Sequence, residues 1–373
     1  MRTGAAVAAV LALLGSLLPR CAFGLEVTDP GQGPVTLPAG SAGARELSGV
    51  TWAGGERYLA VSDKDAALYR LSVQLDHRAG TVLGAEVTGR VALGQGTDLE
   101  AVARAPDGSV YVSDEVGPAI RRYDAETGAA RGVVRPPRVY ANARRNLSLE
   151  SLALSPDART LWTANEEALK GDGATNRGAD GQGTLVRLQR LRGDGRGGWR
   201  PDGQWAYRVD GVAPFFGRAP SGLVDLAVLP DGTLLALERA AGIVGMGSEM
   251  PSAQVGFRSR LYAVDLQGAA DTSHLASLPP SVAAVRKTLL WEATFPGLNF
   301  EGMALGPPLA GGERSLLLLA DDGNGLGQGL YALRIGPITG AGATPRRAAP
   351  PSLPARGRSA APGRRTAATA RPW

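Results

Sequence analysis

Glu100, Glu150 and Glu301 each stand six residues ahead of a proline (Pro106, Pro156 and Pro307), at the head of a short apolar run. A second acid closes the run after the turn: Asp114 or Glu115, Glu166, and Asp321 or Asp322. Carboxylates repeated in this way can bind a hard divalent cation through oxygen or, when crowded, hold protons for acid–base work. Other chemistries lack their parts. The single cysteine, Cys21, falls within the first 24 residues, and no G-x-S-x-G elbow follows them. The two histidines, His77 in "LDHRAG" and His274 in "DTSHLA", sit in polar connecting segments. Thiol, serine–histidine and histidine–metal sites therefore drop out. What remains is carboxylate chemistry with a metal, which polarises a phosphoryl or carbonyl oxygen and activates water.

Those acids need elements to bring them together. The unit recurs as "ELSGVTWAGGERYLAVSD" (46–63), "DLEAVARAPDGSVYVSDE" (98–115), "SLESLALSPDARTLWTANEE" (148–167), "GLVDLAVLPDGTLLALER" (222–239) and "NFEGMALGPPLAGGERSLLLLADD" (299–322). Each is two β-rich runs around a Gly- or Pro-Asp-containing turn, the pattern of a β-hairpin. Further apolar strands follow, among them "ALYRLSV", "AIRRYDA", "TLVRLQRL", "RLYAVDL", "QWAYRVD" and "KTLLWEATF". A third strand follows four of the five hairpins and a fourth candidate follows in several units; with hardly a helical pattern between them, these predict an all-β fold, a β-propeller of four-stranded blades. A β-sandwich is the competing architecture, but it has no reason to repeat its sequence. Five hairpins give five blades, or six if 148–222 and 222–299 conceal a degenerate one. The N-terminal "LEVTDPGQGPVTLPAG" is the natural strand to complete the last blade after "GLYALRI" and remove the open edge.

In an antiparallel hairpin the start of the first strand and the end of the second share one end. Rotation about the propeller axis then gathers the acids on one rim of the channel. Such a ring repels itself unless Ca²⁺ or nearby cationic side chains compensate it. Candidate cations are Lys64, Arg145, Lys170, Arg177, Arg239 and Arg258. The functional expectation is that Glu100, Glu150 and Glu301 hold a cation and carry the chemistry. Arg239, Arg145 and Lys64 contact a small anionic substrate. The structural alternative is that the acids cap strand ends. Asp225 stands five residues before Pro230, so period-2 alternation turns it to the other face and favours Glu238 in that hairpin. The first unit offers Ser48 and Asp63.

The ends of the chain read differently. Residues 1–24, with Arg2, an apolar stretch from Ala5 to Leu18 and small residues at Ala22 and Gly24, are expected to be an export signal, placing the mature protein in the periplasm or outside the cell. No later stretch is apolar enough for membrane insertion. From Gly336 the chain is Pro, Ala, Gly and Arg, and this tail, 336–373, is expected to be disordered. Its seven arginines, with Arg2 and Arg20, more than account for the formal +5, so residues 25–335 are net acidic. Nucleic acid is thereby disfavoured as a partner of the single folded domain expected over 25–335, which is read as a monomer.

The units "DLEAVARAPDGSVYVSDEVGPAIRRYD", "SLESLALSPDARTLWTANE", "LPDGTLLALER", "NFEGMALGPP" and "LLLADD" resemble the phytase-like propeller family, also described as "esterase-like activity of phytase", over about residues 45–335. The resemblance implies an exported, calcium-dependent propeller that hydrolyses phosphate esters. It carries functional roles onto Glu100, Glu115, Glu150, Glu166, Glu238, Arg239, Glu301 and Asp322, the acids among them as metal ligands. Two further expectations stand beside it: a sugar-lactonase-like metal-dependent enzyme, and a non-catalytic binding or scaffolding propeller.

Overall fold

A computed structural model describes residues 24–336 except 41, 176–182, 212–220, 245–253 and 324–325. The expected signal 1–24, apart from Gly24, lies outside these residues, as do the tail beyond Gly336 and Arg177.

The chain opens with two short strands, β1 (Val27–Thr28) and β2 (Val35–Thr36). Five four-stranded antiparallel blades follow. Blade 1 is β3 (Leu47–Gly54), β4 (Arg57–Ser62), β5 (Ala67–Leu75) and β6 (Val82–Ala92). Blade 2 is β7 (Leu99–Arg104), β8 (Ser109–Asp114), β9 (Ala119–Asp124) and β10 (Ala130–Val134), followed by a 3₁₀ turn at Arg138–Asn142. Blade 3 is β11 (Leu149–Leu154), β12 (Thr160–Asn165), β13 (Thr184–Gly193) and β14 (Trp199–Val209). Blade 4 is β15 (Ser221–Val228), β16 (Leu234–Val244), β17 (Gln254–Asp265) and β18 (Arg286–Pro296). Blade 5 is β19 (Asn299–Pro308), β20 (Arg314–Asp321) and β21 (Gly329–Ile335), completed by β1, with Val27 opposite Ile335; β2 also pairs with β21. The protein is thus a five-bladed β-propeller, and the spans 148–222 and 222–299 hold one blade each rather than an extra one.

The repeated Pro-Asp turn is a local folding device. Asp107, Asp157 and Asp231 each accept a hydrogen bond from the backbone N–H two residues on, at 3.0, 3.1 and 3.1 Å. The carboxylate closes an Asx turn, and Gly108 supplies the positive φ of 82° that the reversal needs.

Each first strand lines the channel, and β3, β7, β11, β15 and β19 abut in that order, with β19 closing against β3. Apolar side chains fill the wedge between each pair of blades. Between blades 1 and 2 these include Leu59, Val61, Val102 and Val112; between blades 3 and 4 they include Trp162, Trp205, Leu223 and Leu226. Blade 5 is tied shut by Asp29, which accepts hydrogen bonds from Trp291 Nε1 at 2.9 Å and Tyr331 Oη at 2.5 Å.

Candidate functional site

Every inner strand is interrupted near its start by a β-bulge, and the bulges fall at equivalent places. In β11 the pairing runs from Leu149 opposite Asn165 to Ser151 opposite Ala164, which leaves Glu150 unpaired. The same break leaves Ser48 in β3, Val224 in β15 and Glu301 in β19, and sets Glu100 and Ala101 of β7 against Ser113 alone. A bulge bends its strand and re-aims the extra side chain. The inner ring at the channel mouth is therefore Ser48, Glu100, Glu150, Val224 and Glu301.

The same register yields a second ring from the ends of the second strands. Asp321 pairs directly with Asn299, and Arg239 with Gly222. Asp63, Glu115 and Glu166 donate their backbone N–H to Glu46, Asp98 and Ser148, respectively. This ring is thus Asp63, Glu115, Glu166, Arg239 and Asp321, and the residues facing it are Glu46, Asp98, Ser148, Gly222 and Asn299. Gly222 has to be small, because a Cβ there would lie 2.4 Å from Cγ of Glu166.

Of the side chains singled out from sequence, Glu100, Glu115, Glu150, Glu166, Glu301 and Arg239 come together at this mouth. Arg239 is 3.3 Å from Glu166 and also bonds to Glu301, so its charge is spent on the ring itself. Lys64 spans Glu46 (2.9 Å) and Asp63 (2.7 Å) with its side chain 57% exposed. Glu238 points away into the wedge between blades 3 and 4, where Tyr207 Oη donates to it at 2.7 Å and Lys287 pairs with it. Asp322 accepts the backbone N–H of Glu46, while Asp321 holds the ring position. Asp114, the other member of its pair, turns to Arg121 at 2.7 Å. Arg258 is paired with Glu292.

Asp98 was not singled out, although it and Glu46 stand two residues ahead of Glu100 and Ser48, a spacing readable in the repeat. Oxygens of Asp63, Asp98 and Glu100 all lie within 4.8 Å of one another. One Asp63 oxygen, Oδ1, is buried with no hydrogen-bond partner. Ser148 Oγ and Asn299 Oδ1 are equally unpartnered at the adjoining positions. Beside this cluster opens a cavity of about 490 Å³ lined by Asp98, Glu115, Arg144, Arg145 and Lys170.

The carboxylates outnumber their cations, and their proton affinities rise accordingly. Burial, then the charges of Glu115, Glu301, Asp98 and Asp63, hold Glu100 well above the ordinary range. Burial and the charges of Glu100, Glu166, Glu115 and Glu301 do the same to Glu150. Burial lifts Glu115 to about 8 against the backbone N–H of Ser148, and Glu166 to about 7 against Arg239. Asp321 reaches about 7 through burial and Glu301. Burial raises Asp63 and Asp98 too, with Lys64 opposing in both. Burial favours the neutral form of Arg239, but Glu301, Glu166 and Glu150 outweigh it and keep the guanidinium charged. A confined set of hard oxygens short of positive charge can take up protons or a divalent cation.

A family model described as "Phytase-like: Esterase-like activity of phytase" matches residues 43–324. No curated protein matches the chain. Among solved structures, a glucose dehydrogenase is 16% identical, with 82% of this chain and 100% of that one covered at a TM-score of 0.38. A Myxococcus xanthus glutaminyl cyclase is 13% identical, with 83% and 96% covered at 0.37. A luciferin-regenerating enzyme is 14% identical, with 83% and 96% covered at 0.36.

Proposed function

From the premise that the chain belongs to the phytase-like family, we propose that it is a metal-dependent hydrolase of small anionic esters, phosphoesters foremost, with Ca²⁺ as the favoured cation. The supporting observation is the convergence of Asp63, Asp98 and Glu100 within 4.8 Å, with a buried Asp63 oxygen left over. Oxygens that close can share one ion at the roughly 2.3–2.6 Å typical of calcium, and the all-carboxylate donor set suits a hard cation. Asp63, Asp98 and Glu100 would hold it, with Glu115 alongside. A cation bound there supplies Lewis-acid polarisation of the ester and neutralises charge developing on it.

The side chains around that position have separable tasks. Arg145 and Lys170 furnish positive charge on the wall of the 490 Å³ cavity and attract the anionic part of the substrate. Arg239 is held by Glu166 and Glu301, so its work is to keep the ring from flying apart rather than to grip the substrate. Burial and the neighbouring carboxylates favour the protonated form of Glu150, which suits it to supply the proton that a departing alkoxide requires. Export by residues 1–24 belongs to the same reading, since outside the cytoplasm a calcium site of about 10⁻⁴–10⁻³ M suffices.

The test is calcium titration of the mature protein, followed by thermal melting and by assays on phosphate monoesters, carboxylic esters and lactones. A cation that binds only the folded state raises the melting temperature with its concentration. Glu100→Gln should weaken that response by at least about tenfold in calcium concentration. Asp157→Asn, at the turn end of blade 3, should leave it unchanged. The absence of a shift with Ca²⁺, Mg²⁺ or Mn²⁺ would overturn the reading in favour of a binding propeller. Turnover of lactones alone would move the substrate class.

A further inference from the structure

Asp225 is the odd member of its position in the repeat. The residue after each inner-strand bulge is Gly49, Ala101, Ser151 and Gly302 in the other four blades. These are small because inner strands meet there: a Cβ on Gly49 would lie 2.4 Å from the Glu100 carbonyl oxygen, and one on Gly302 would lie 2.8 Å from that of Ser48. Blade 4 places a carboxylate at this crowded position, 3% exposed and with no cation paired to it among the described residues. Among the described residues its hydrogen-bond donors are all backbone N–H groups. Oδ2 accepts from Met303 N at 2.7 Å, and Oδ1 accepts from Leu226 N at 2.8 Å and Leu152 N at 3.5 Å.

The two outer donors lie on the inner strands at either side, β19 and β11, and each is two residues beyond a ring glutamate, Glu301 and Glu150. Blade 4 itself gives the inner ring only Val224. Further along the inner strands lies a cavity of about 130 Å³ whose lining side chains are mostly apolar, among them Val50, Val102, Leu152, Leu226 and Met303, with Thr51 and Arg104 also on its wall. Burying a carboxylate at the Asp225 position is costly, and Gly, Ala or Ser fills the site in every other blade. Such a carboxylate is of use only if the bridge itself is needed.

We propose that Asp225 is a positioning residue of the mouth: by hooking β11 and β19 through their backbone N–H groups it sets the separation of Glu150 and Glu301, and with it the spacing of the carboxylate ring. The role rests on the ring being the functional site, as argued above. It differs from simple stabilisation because it predicts effects on the ring beyond those of general loosening.

The variants are Asp225→Ser, which takes the residue of blade 3, and Asp225→Asn, which keeps Oδ1 but turns an NH₂ toward the N–H of Met303. Leu333→Ala, a core truncation in β21, controls for loosening. Calcium affinity is read by calorimetry with calcium alone. The ring is also read without any cation, by carboxyl-carbon NMR titration of its glutamates. The expected result is a fall in calcium affinity in Asp225→Ser, less in Asp225→Asn and least in Leu333→Ala, because Glu150 and Glu301 adjoin the proposed ligands Asp63, Asp98 and Glu100 rather than belong to them. Glutamate titrations should be displaced in the two Asp225 variants only. Titrations unchanged from wild type, or displaced equally in Leu333→Ala, overturn the positioning role whatever calcium does. A wild type that binds no calcium overturns the cation reading instead and leaves the NMR arm to decide for Asp225.

Discussion

Crowding carboxylates at the mouth of a channel makes each one's ionisation its neighbours' concern. Glu115, Glu166 and Asp321, with folded pKa values near 8, 7 and 7, all titrate above their ordinary values of 4.5, 4.5 and 3.8. An acid whose pKa is raised on folding binds more protons folded than unfolded, so its contribution to stability falls as pH climbs from the unfolded to the folded value. The cation-free protein should therefore lose melting temperature steadily between about pH 4 and pH 8 and level off above that, as far as these groups decide. On the proposed reading, calcium competes with the same protons. Its stabilising effect should grow over the same interval, and its binding should release protons, measurable in buffers of differing ionisation enthalpy. A cation-free melting temperature that rises from pH 5 to pH 8 would show the acids to be compensated already.

The bulge is the element that turns a strand into part of a site. In a regular ladder Glu150 would alternate with its neighbours, whereas the extra residue breaks the alternation just where the strand meets the mouth. The space for this comes from the small residue that follows. Gly49→Ala should push β3 from the Glu100 peptide and cost about 1–3 kcal/mol in urea unfolding, with calcium affinity falling alongside. Gly242→Ala is the control, since a Cβ there meets nothing within 4 Å, and it should stay within about 0.5 kcal/mol of wild type. Equal losses from the two would mean that the inner strands have room to part.

Across the whole molecule, the ring exists only because the propeller closes. Strand β1 completes blade 5 from the opposite end of the chain, and Asp29 fastens it through Trp291 of blade 4 and Tyr331 of blade 5. Asp29→Ala leaves the Trp and Tyr donors without their acceptor, a loss of about 1–3 kcal/mol. Fraying of β1 should follow, seen as faster amide exchange at residues 27–28 and 333–335 and as a new tendency to associate through the bared edge of β21. Unchanged exchange at those amides would place the fastening elsewhere.

Much of this architecture is legible along the chain because it is periodic. Hairpins that repeat with their turn chemistry announce blades, and the six-residue spacing from Pro106, Pro156 and Pro307 picks out Glu100, Glu150 and Glu301 as equivalent. The same count back from Pro230 reaches Val224, so the weakness of Asp225 as a ring member was also readable. What the chain order hides is the face each neighbour takes. Glu238 or Arg239, Asp321 or Asp322, and Asp114 or Glu115 differ by one residue, and the ladder register with its bulges decides which of them looks into the mouth. Nor could spacing along the chain join Asp63 to Asp98 and Glu100, or give Asp225 its hold on two other blades. Those contacts cross between blades, and they form only when the five sheets close into a ring and desolvate one another's edges.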